Sequence, residues 1–339
     1  MRALVYHGAR SLRVEDVPVP EVGAKDVLVR VLFCGVCGTD IHIYNGEGGA
    51  HSATPPLIMG HEFSGVVERV GAGVRSVAPG DLVTVDPNAM CGECYFCRNG
   101  MQHFCTNNIA YGVTRDGGFA EYAACRESAV YKYRQGTDPL LAAMTEPLSC
   151  CLHGIDLCHI RTGDEVLVIG GGPIGLMNLQ LAKMGGASKV ILSEPVEEKR
   201  ALALELGADL AIDPIRSDVK ALLAEHCKNV NVVIECVGSV RTIADAVDWA
   251  GMGATVMMFG LTGPDAELVV KPDVIFKKEL KLTSSFINPY SFERAIAIIE
   301  SGRVRVTETV STVVGLEDAV RVFEDEGLRR TGKAVIKAT

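Results

Sequence analysis

From residue 165 onward the chain alternates two apolar patterns. Short runs dense in β-branched residues recur: EVLVI (165–169), KVILS (189–193), DLAID (209–213), NVVIECVG (231–238), ATVMMFGL (254–261) and LKLTSSF (280–286). Such runs suit strands of a parallel sheet covered on both faces. Between them, apolar residues fall three or four apart, from Pro173 to Lys183, in EEKRALALEL (197–206), from Val219 to Glu225 and from Ile243 to Ala250. That period predicts helices. Strand–helix alternation of this kind predicts a doubly wound α/β unit from residue 149 to 287. The first 148 residues differ, with short alternating strands broken by Gly and Pro, and predict a β-rich body.

Two turns in this pattern carry chemistry. EVLVI runs into Gly170-x-Gly172-x-x-Gly175, and Pro173 and Ile174 open the helix that follows. Glycines there let the backbone approach a pyrophosphate, whose charge meets the helix amino terminus. KVILS ends at Glu194, nineteen residues after Gly175, where a carboxylate accepts ribose hydroxyls and repels a 2′-phosphate. The expected cofactor is therefore NAD rather than NADP. Val237, at the end of NVVIECVG, is assigned to the same site, while Lys199 and Arg200 read as solvated residues of the next helix. A plain βα turn without ligand is the plainer alternative.

The β-rich part holds two clusters of metal-binding residue types. Cys91, Cys94, Cys97 and Cys105 follow the spacing C-x2-C-x2-C-x7-C. Four thiolates so close in sequence can converge on one tetrahedral centre, as in structural zinc. A redox pair would use only two of them, and buried free thiols are the other reading. Upstream, Cys37, His61 and Glu62 supply one sulfur, one nitrogen and one oxygen. Three protein ligands with a fourth position left for substrate is the pattern of catalytic zinc. Glu146, in the segment EPLSC, could bind that metal or hold its water. A redox pair of Cys34 with Cys37, and a hydrogen-bonded structural His61, are the alternatives. His51, His103, His153, His159 and His226 are assigned no role.

Composition narrows the partners. The 339 residues include 33 Lys and Arg against 42 Asp and Glu, a net charge of −9. A duplex-binding protein needs a basic surface, so a zinc-ribbon nucleic-acid binder is disfavoured. Apolar residues make up 48%, and no uninterrupted apolar run reaches the roughly 20 residues of a membrane span. The opening MRALVYHGARSLRVEDVPVPEV lacks the apolar core of a secretory signal, so a cytoplasmic protein with reduced thiols is expected.

Cys37, GHEFSGVVERVGAGV, the four-cysteine lobe and the GGGPIG turn, in this order, resemble the zinc-dependent medium-chain alcohol and polyol dehydrogenases over essentially the whole chain. GHE-x2-G-x5-G-x2-V is the zinc signature of that family. Glu62 after His61, with EPLSC, is most similar to sorbitol (L-iditol) and bacterial polyol dehydrogenases; CGTDIHIYN is similar to L-threonine 3-dehydrogenase. The resemblance implies a GroES-like catalytic domain (1–148, structural-zinc lobe about 88–108), a Rossmann NAD-binding domain (149–287), and a return of 288–339 to the first domain. It implies two zinc ions per subunit, and reversible oxidation of a secondary hydroxyl to a ketone with NAD. Thr39 would receive the substrate proton and His42 would complete the relay to solvent. A homodimer or homotetramer, joined partly through the Rossmann sheet edge, is also implied. The arginine and tyrosine with which sorbitol dehydrogenases contact their polyol fall at Ile287 and Asn288, which points to another polyol, a phosphorylated polyol or another secondary alcohol.

Overall fold

The computed structural model describes residues 1–47 and 53–339, so His51 lies outside the described residues. These residues form two units: Met1–Ser149 with Pro289–Ser301 and Val306–Thr339, and Cys150–Asn288 with Gly302–Arg305.

The first unit begins with strands β1 (Arg2–Gly8), β2 (Ser11–Asp16) and β3 (Asp26–Gly35) and helix α1 (Gly38–Asn45). There follow β4 (Leu57–Ile58), β5 (Glu62–Val70), β6 (Leu82–Val85), β7 (Asn88–Ala89), the single turn α2 (Tyr95–Arg98), β8 (Ile109–Ala110), β9 (Tyr122–Arg126), β10 (Val130–Lys132) and α3 (Pro139–Ala143). Helix α4 (Thr145–Cys158) begins in this unit and ends in the next.

The second unit runs β11 (Glu165–Ile169), α5 (Pro173–Met184), β12 (Lys189–Ser193), α6 (Glu197–Glu205), β13 (Leu210–Ile212), α7 (Val219–His226), β14 (Val230–Glu235), α8 (Val240–Trp249), β15 (Thr255–Met258), α9 (Pro272–Lys278) and β16 (Lys281–Ser284). Helix α10 (Phe292–Glu300), β17 (Val310–Gly315), α11 (Ala319–Glu324) and β18 (Lys333–Lys337) then return to the first unit.

In the first unit β3 is the organising strand. It pairs antiparallel with β5, β9 and β18, while β17 extends the sheet parallel to β18 and β6 and β10 extend it beyond β5. Gly35, at the end of β3, lies opposite Glu62 at the start of β5 and opposite Val335 of β18. One end of the sheet therefore gathers the residues after β3, those opening β5 and those opening β18. Leu4, Phe63, Phe119, Phe323 and Ile336 are buried in a single apolar core beneath it.

The second unit is a six-stranded, fully parallel sheet ordered β13-β12-β11-β14-β15-β16. Val166, Val168 and Leu192 are buried on one face, and Leu167, Ile169 and Ile191 on the other. Alternate residues point to opposite faces, so near-continuous apolar strands are what two covered faces demand. The strand order reverses between β11 and β14, the point where such sheets bind ligands at their carboxyl ends. Helix α8 starts at Val240, three residues before the expected Ile243, because the Ser239 hydroxyl accepts the Thr242 N–H at 3.1 Å and caps it there. Among the described residues, no helix is long and apolar enough to cross a membrane.

Candidate metal and cofactor sites

The four cysteines of the first lobe sit between β7 and β8, which pair with each other and close the lobe at its base. Their sulfurs lie within 4.8 Å of one another, with Cys91 to Cys105 at 3.5 Å and Cys91 to Cys97 at 4.0 Å. No disulfide joins any of the twelve cysteines. A tetrahedral zinc with bonds of about 2.3 Å spaces its sulfurs by roughly 3.8 Å, so the arrangement fits that ion. Backbone N–H groups aim at the sulfurs: Cys94 at Cys91, and both Cys91 and Asn107 at Cys105, each at 3.4 Å. N–H groups of Cys97 and Thr106 pull the Cys94 pKa down to about 6, whereas desolvation and neighbouring thiols push Cys97 up to about 12. At least one sulfur is thus a thiolate at neutral pH, the form that binds metal. His103 stacks on Phe104 with ring centres 4.0 Å apart and is outside the sulfur group.

Cys37, His61 and Glu62 form the second group, again with donor atoms within 4.8 Å of one another. Cys37 is the amino cap of α1, His61 immediately precedes β5, and Glu62 opens it. Gly60 makes this approach possible. Its φ of +90° favours glycine, and an added Cβ would lie 2.5 Å from the Phe119 ring.

Two residues absent from the sequence reading complete the cluster. Asp40, wholly buried, accepts the Cys37 N–H at 2.8 Å and faces His61 Nδ1 at 3.4 Å. A carboxylate on one ring nitrogen orients the imidazole and leaves the other nitrogen for a metal. Lys333, buried at the start of β18, holds both Glu62 oxygens at 2.6 Å. Burial opposes a charge on His61, but Asp40 and Cys37 outweigh it and raise its pKa. Burial likewise opposes the Lys333 charge, yet Glu62, Cys37 and Glu146 hold its pKa above the ordinary lysine value. Asp40 could have been found as the fourth residue of a C-x-x-D cap. Lys333, 271 residues from Glu62, left no local signal.

The remaining expected residues are placed as follows. Glu146 is buried in the first turn of α4, and its charge is felt at Lys333; it is not part of the tight donor group. Thr39 Oγ1 lies 3.8 Å from the Cys37 sulfur. His42 Nδ1 meets Glu47 Oε2 at 2.6 Å, because Gly46 ends α1 in a left-handed turn whose next N–H bonds back to the His42 carbonyl.

In the second unit, β11 leads into Gly170 at φ +99°, and Gly172 caps α5. A Cβ on Gly175 would overlap the Gly170 carbonyl oxygen, so helix and turn pack at glycine distance. Pro173 and Ile174 form the first turn of α5. The buried Glu194 accepts the Gly171 N–H at 2.6 Å and the Val196 N–H at 2.8 Å. Val237, largely exposed, borders the turn: a Cβ on Gly170 would lie 2.8 Å from its Cγ2. The loop carrying Val237 is folded by the buried Glu235, which accepts the N–H groups of Val237 and Gly238 and the Thr242 hydroxyl. The reading of Arg200 as solvated is corrected. Its side chain is only 16% exposed and donates to the carbonyls of Glu194 and Pro195, because the turn after β12 leaves those acceptors facing α6.

Two outcomes are expected from these contacts. Lys333→Met strands a buried carboxylate and should cost about 3–5 kcal/mol in urea denaturation, most of it regained by adding Glu62→Gln. Equal stability of parent and single variant would refute a structural role for the pair. Cys94→Ser should remove about one zinc per chain by metal analysis and lower the melting temperature; unchanged metal content and melting would deny the lobe a metal.

Comparison with known proteins agrees with both units. Residues 23–135 match the profile of the alcohol dehydrogenase GroES-like domain, and residues 173–301 that of the zinc-binding dehydrogenases. The chain is 35% identical to D-arabinitol dehydrogenase 1 of Uromyces fabae, over 99% of this chain and 97% of that one. It is 32% identical to L-threonine 3-dehydrogenase of Anaeromyxobacter dehalogenans, over 95% and 93%. A Sinorhizobium meliloti protein described as a zinc-binding dehydrogenase, solved bound to NADP, superposes with a TM-score of 0.95 at 37% identity, over 99% and 98%. With its GroES-like body, parallel α/β sheet, four-cysteine lobe and Cys37–His61–Glu62 group, the chain belongs to the zinc-dependent medium-chain dehydrogenases and is an oxidoreductase acting on alcohols.

Proposed function

We propose that the enzyme reversibly oxidises a secondary hydroxyl of a polyol to a ketone, with NAD as acceptor. The observation that carries this reading is the S, N, O donor group of Cys37, His61 and Glu62, in a chain that also bears the Gly170–Gly175 turn with Glu194 against it. That donor set suits zinc held by Cys37 and His61 with Glu62 or Glu146, where it would polarise the substrate hydroxyl as a Lewis acid. A second zinc in the four-cysteine lobe would be structural.

The chain's own residues then handle the proton and the cofactor. Thr39 Oγ1 would take the hydroxyl proton and pass its own toward His42, while the hydride leaves the alcohol carbon for the nicotinamide. Glu47, on His42 Nδ1, keeps the ring proton on that nitrogen and leaves Nε2 to carry the substrate proton toward solvent. N–H groups at the start of α5 meet the pyrophosphate. The buried Glu194 would exchange its backbone N–H partners for ribose hydroxyls and repel a 2′-phosphate.

The polyol assignment is supported by the D-arabinitol relative and by Glu62 after His61. Oxidation of L-threonine is the second reading, favoured by CGTDIHIYN and by the threonine dehydrogenase relative. Twelve cysteines with no disulfide among them suit a reducing, cytoplasmic setting. Strand β16 ends the sheet with mostly exposed side chains, and Phe276 of the preceding α9 is 85% exposed. A second copy adding its own β16 would cover that edge and give a dimer, or a tetramer by further pairing.

Nicotinamide reduction should be followed across sugar alcohols, their phosphates, simple secondary alcohols and L-threonine, with NAD and NADP. A selective polyol signal with NAD is expected. A threonine-only signal would replace the substrate class, and silence from a zinc- and NAD-loaded enzyme would sink it. Cys37→Ala should lose turnover by at least about 100-fold while NAD binding and melting stay near the parent's. Normal turnover in that variant would remove the catalytic-metal assignment.

A further inference from the structure

Arg200 is engaged in a way that an ordinary helix-surface arginine is not. Its Nη1 donates to the Glu194 carbonyl at 2.9 Å and the Pro195 carbonyl at 2.7 Å, and it faces Asp213 Oδ2 at 3.4 Å. Both side chains are largely buried, at 16% and 15% exposure. Asp213 follows β13 directly and is itself braced, its Oδ1 accepting the Ile215 N–H at 2.9 Å. The Glu194 N–H bonds to the Ile212 carbonyl at 2.9 Å, so the end of β13 and the turn after β12 are tied together. The guanidinium thus stands beside Glu194, the residue read as meeting the ribose, with Nη1 engaged by the two carbonyls and turned toward Asp213.

We propose that the Arg200–Asp213 pair is a second determinant of cofactor choice, acting beside Glu194. Guanidinium groups bind phosphate in bidentate fashion and strongly. Glu194 supplies the repulsion against a 2′-phosphate, and Asp213 withholds the cation that would attract one. Discrimination built from one repulsive group and one withheld attractive group is harder to breach than either alone. A member of the same family was solved with NADP, so the fold accepts a 2′-phosphate when its residues allow. Arg216, also near Asp213 at 3.8 Å, is 84% exposed and leaves the buried pair intact.

The inference rests on reading Gly170–Gly175 with Glu194 as the NAD site, and the test separates the two. Calorimetric titration of the zinc-loaded enzyme would compare 2′,5′-ADP with 5′-ADP on the same preparation. The ratio of the two affinities is the readout, so a variant that weakens both by loosening the fold still reports. Glu194→Ser should raise the ratio about tenfold, and Glu194→Ser with Asp213→Asn by about a further tenfold. Adding Arg200→Gln to that double variant should erase the second gain, and Arg200→Lys should keep part of it. Failure of the parent to bind either 5′-ADP or NAD would overturn the nucleotide reading. A ratio that rises with Glu194→Ser but ignores Asp213 and Arg200 would overturn the proposal alone.

Discussion

A buried carboxylate must be balanced, and in this protein the balance of Glu62 organises the first unit. Glu62 is 1% exposed, and Lys333 grips both of its oxygens from a strand 271 residues away. Removing two charges from water costs several kcal/mol each unless the partners are close and well hydrogen-bonded. The strand β18 that delivers Lys333 also pairs with β3, whose far end leads to Cys37. The ion pair and the sheet therefore require each other. The return of the chain's last segment is what makes a charged donor at position 62 tolerable.

The same electrostatic economy extends to the rest of the donor group. Asp40 does two jobs with one buried carboxylate, closing the first turn of α1 on the Cys37 N–H and steadying His61. Carboxylates and a thiol crowd a site in which Lys333 is the only cation in direct contact with the donor group among the described residues. The raised His61 pKa is the mark of that excess of negative charge. A divalent cation would relieve it, which is a physical reason, independent of resemblance, to regard the site as metal-binding.

In the second unit, packing rather than charge sets the geometry. Glycines let α5 approach the end of β11, and the covered faces of the sheet hold the strands in register. Charge then shapes the loops beside it. Glu194 and Glu235 are both buried; Glu194 accepts the N–H groups of Gly171, after β11, and Val196, after β12, and Glu235 those of Val237 and Gly238, after β14. Those loops are thereby shaped by carboxylates at the carboxyl ends of β12 and β14.

Much of this was written locally. Apolar runs of five residues with helical stretches between them determined the parallel α/β sheet, because two covered faces demand unbroken apolarity. Cysteine spacing pointed to four converging sulfurs, because thiolates so close in sequence can share one tetrahedral centre, and the fold brings them within 4.8 Å of one another. The pairing of Cys37 with His61 and Glu62 was visible only through a motif, as nothing local ties residue 37 to residue 61. Tertiary structure alone decided that Lys333 neutralises Glu62, that Arg200 is buried against Asp213, and that β16 is an exposed edge. Each depends on strand order and on long-range pairing. A hydrophobic period records which face of an element is covered; it does not record which distant charge arrives to face it.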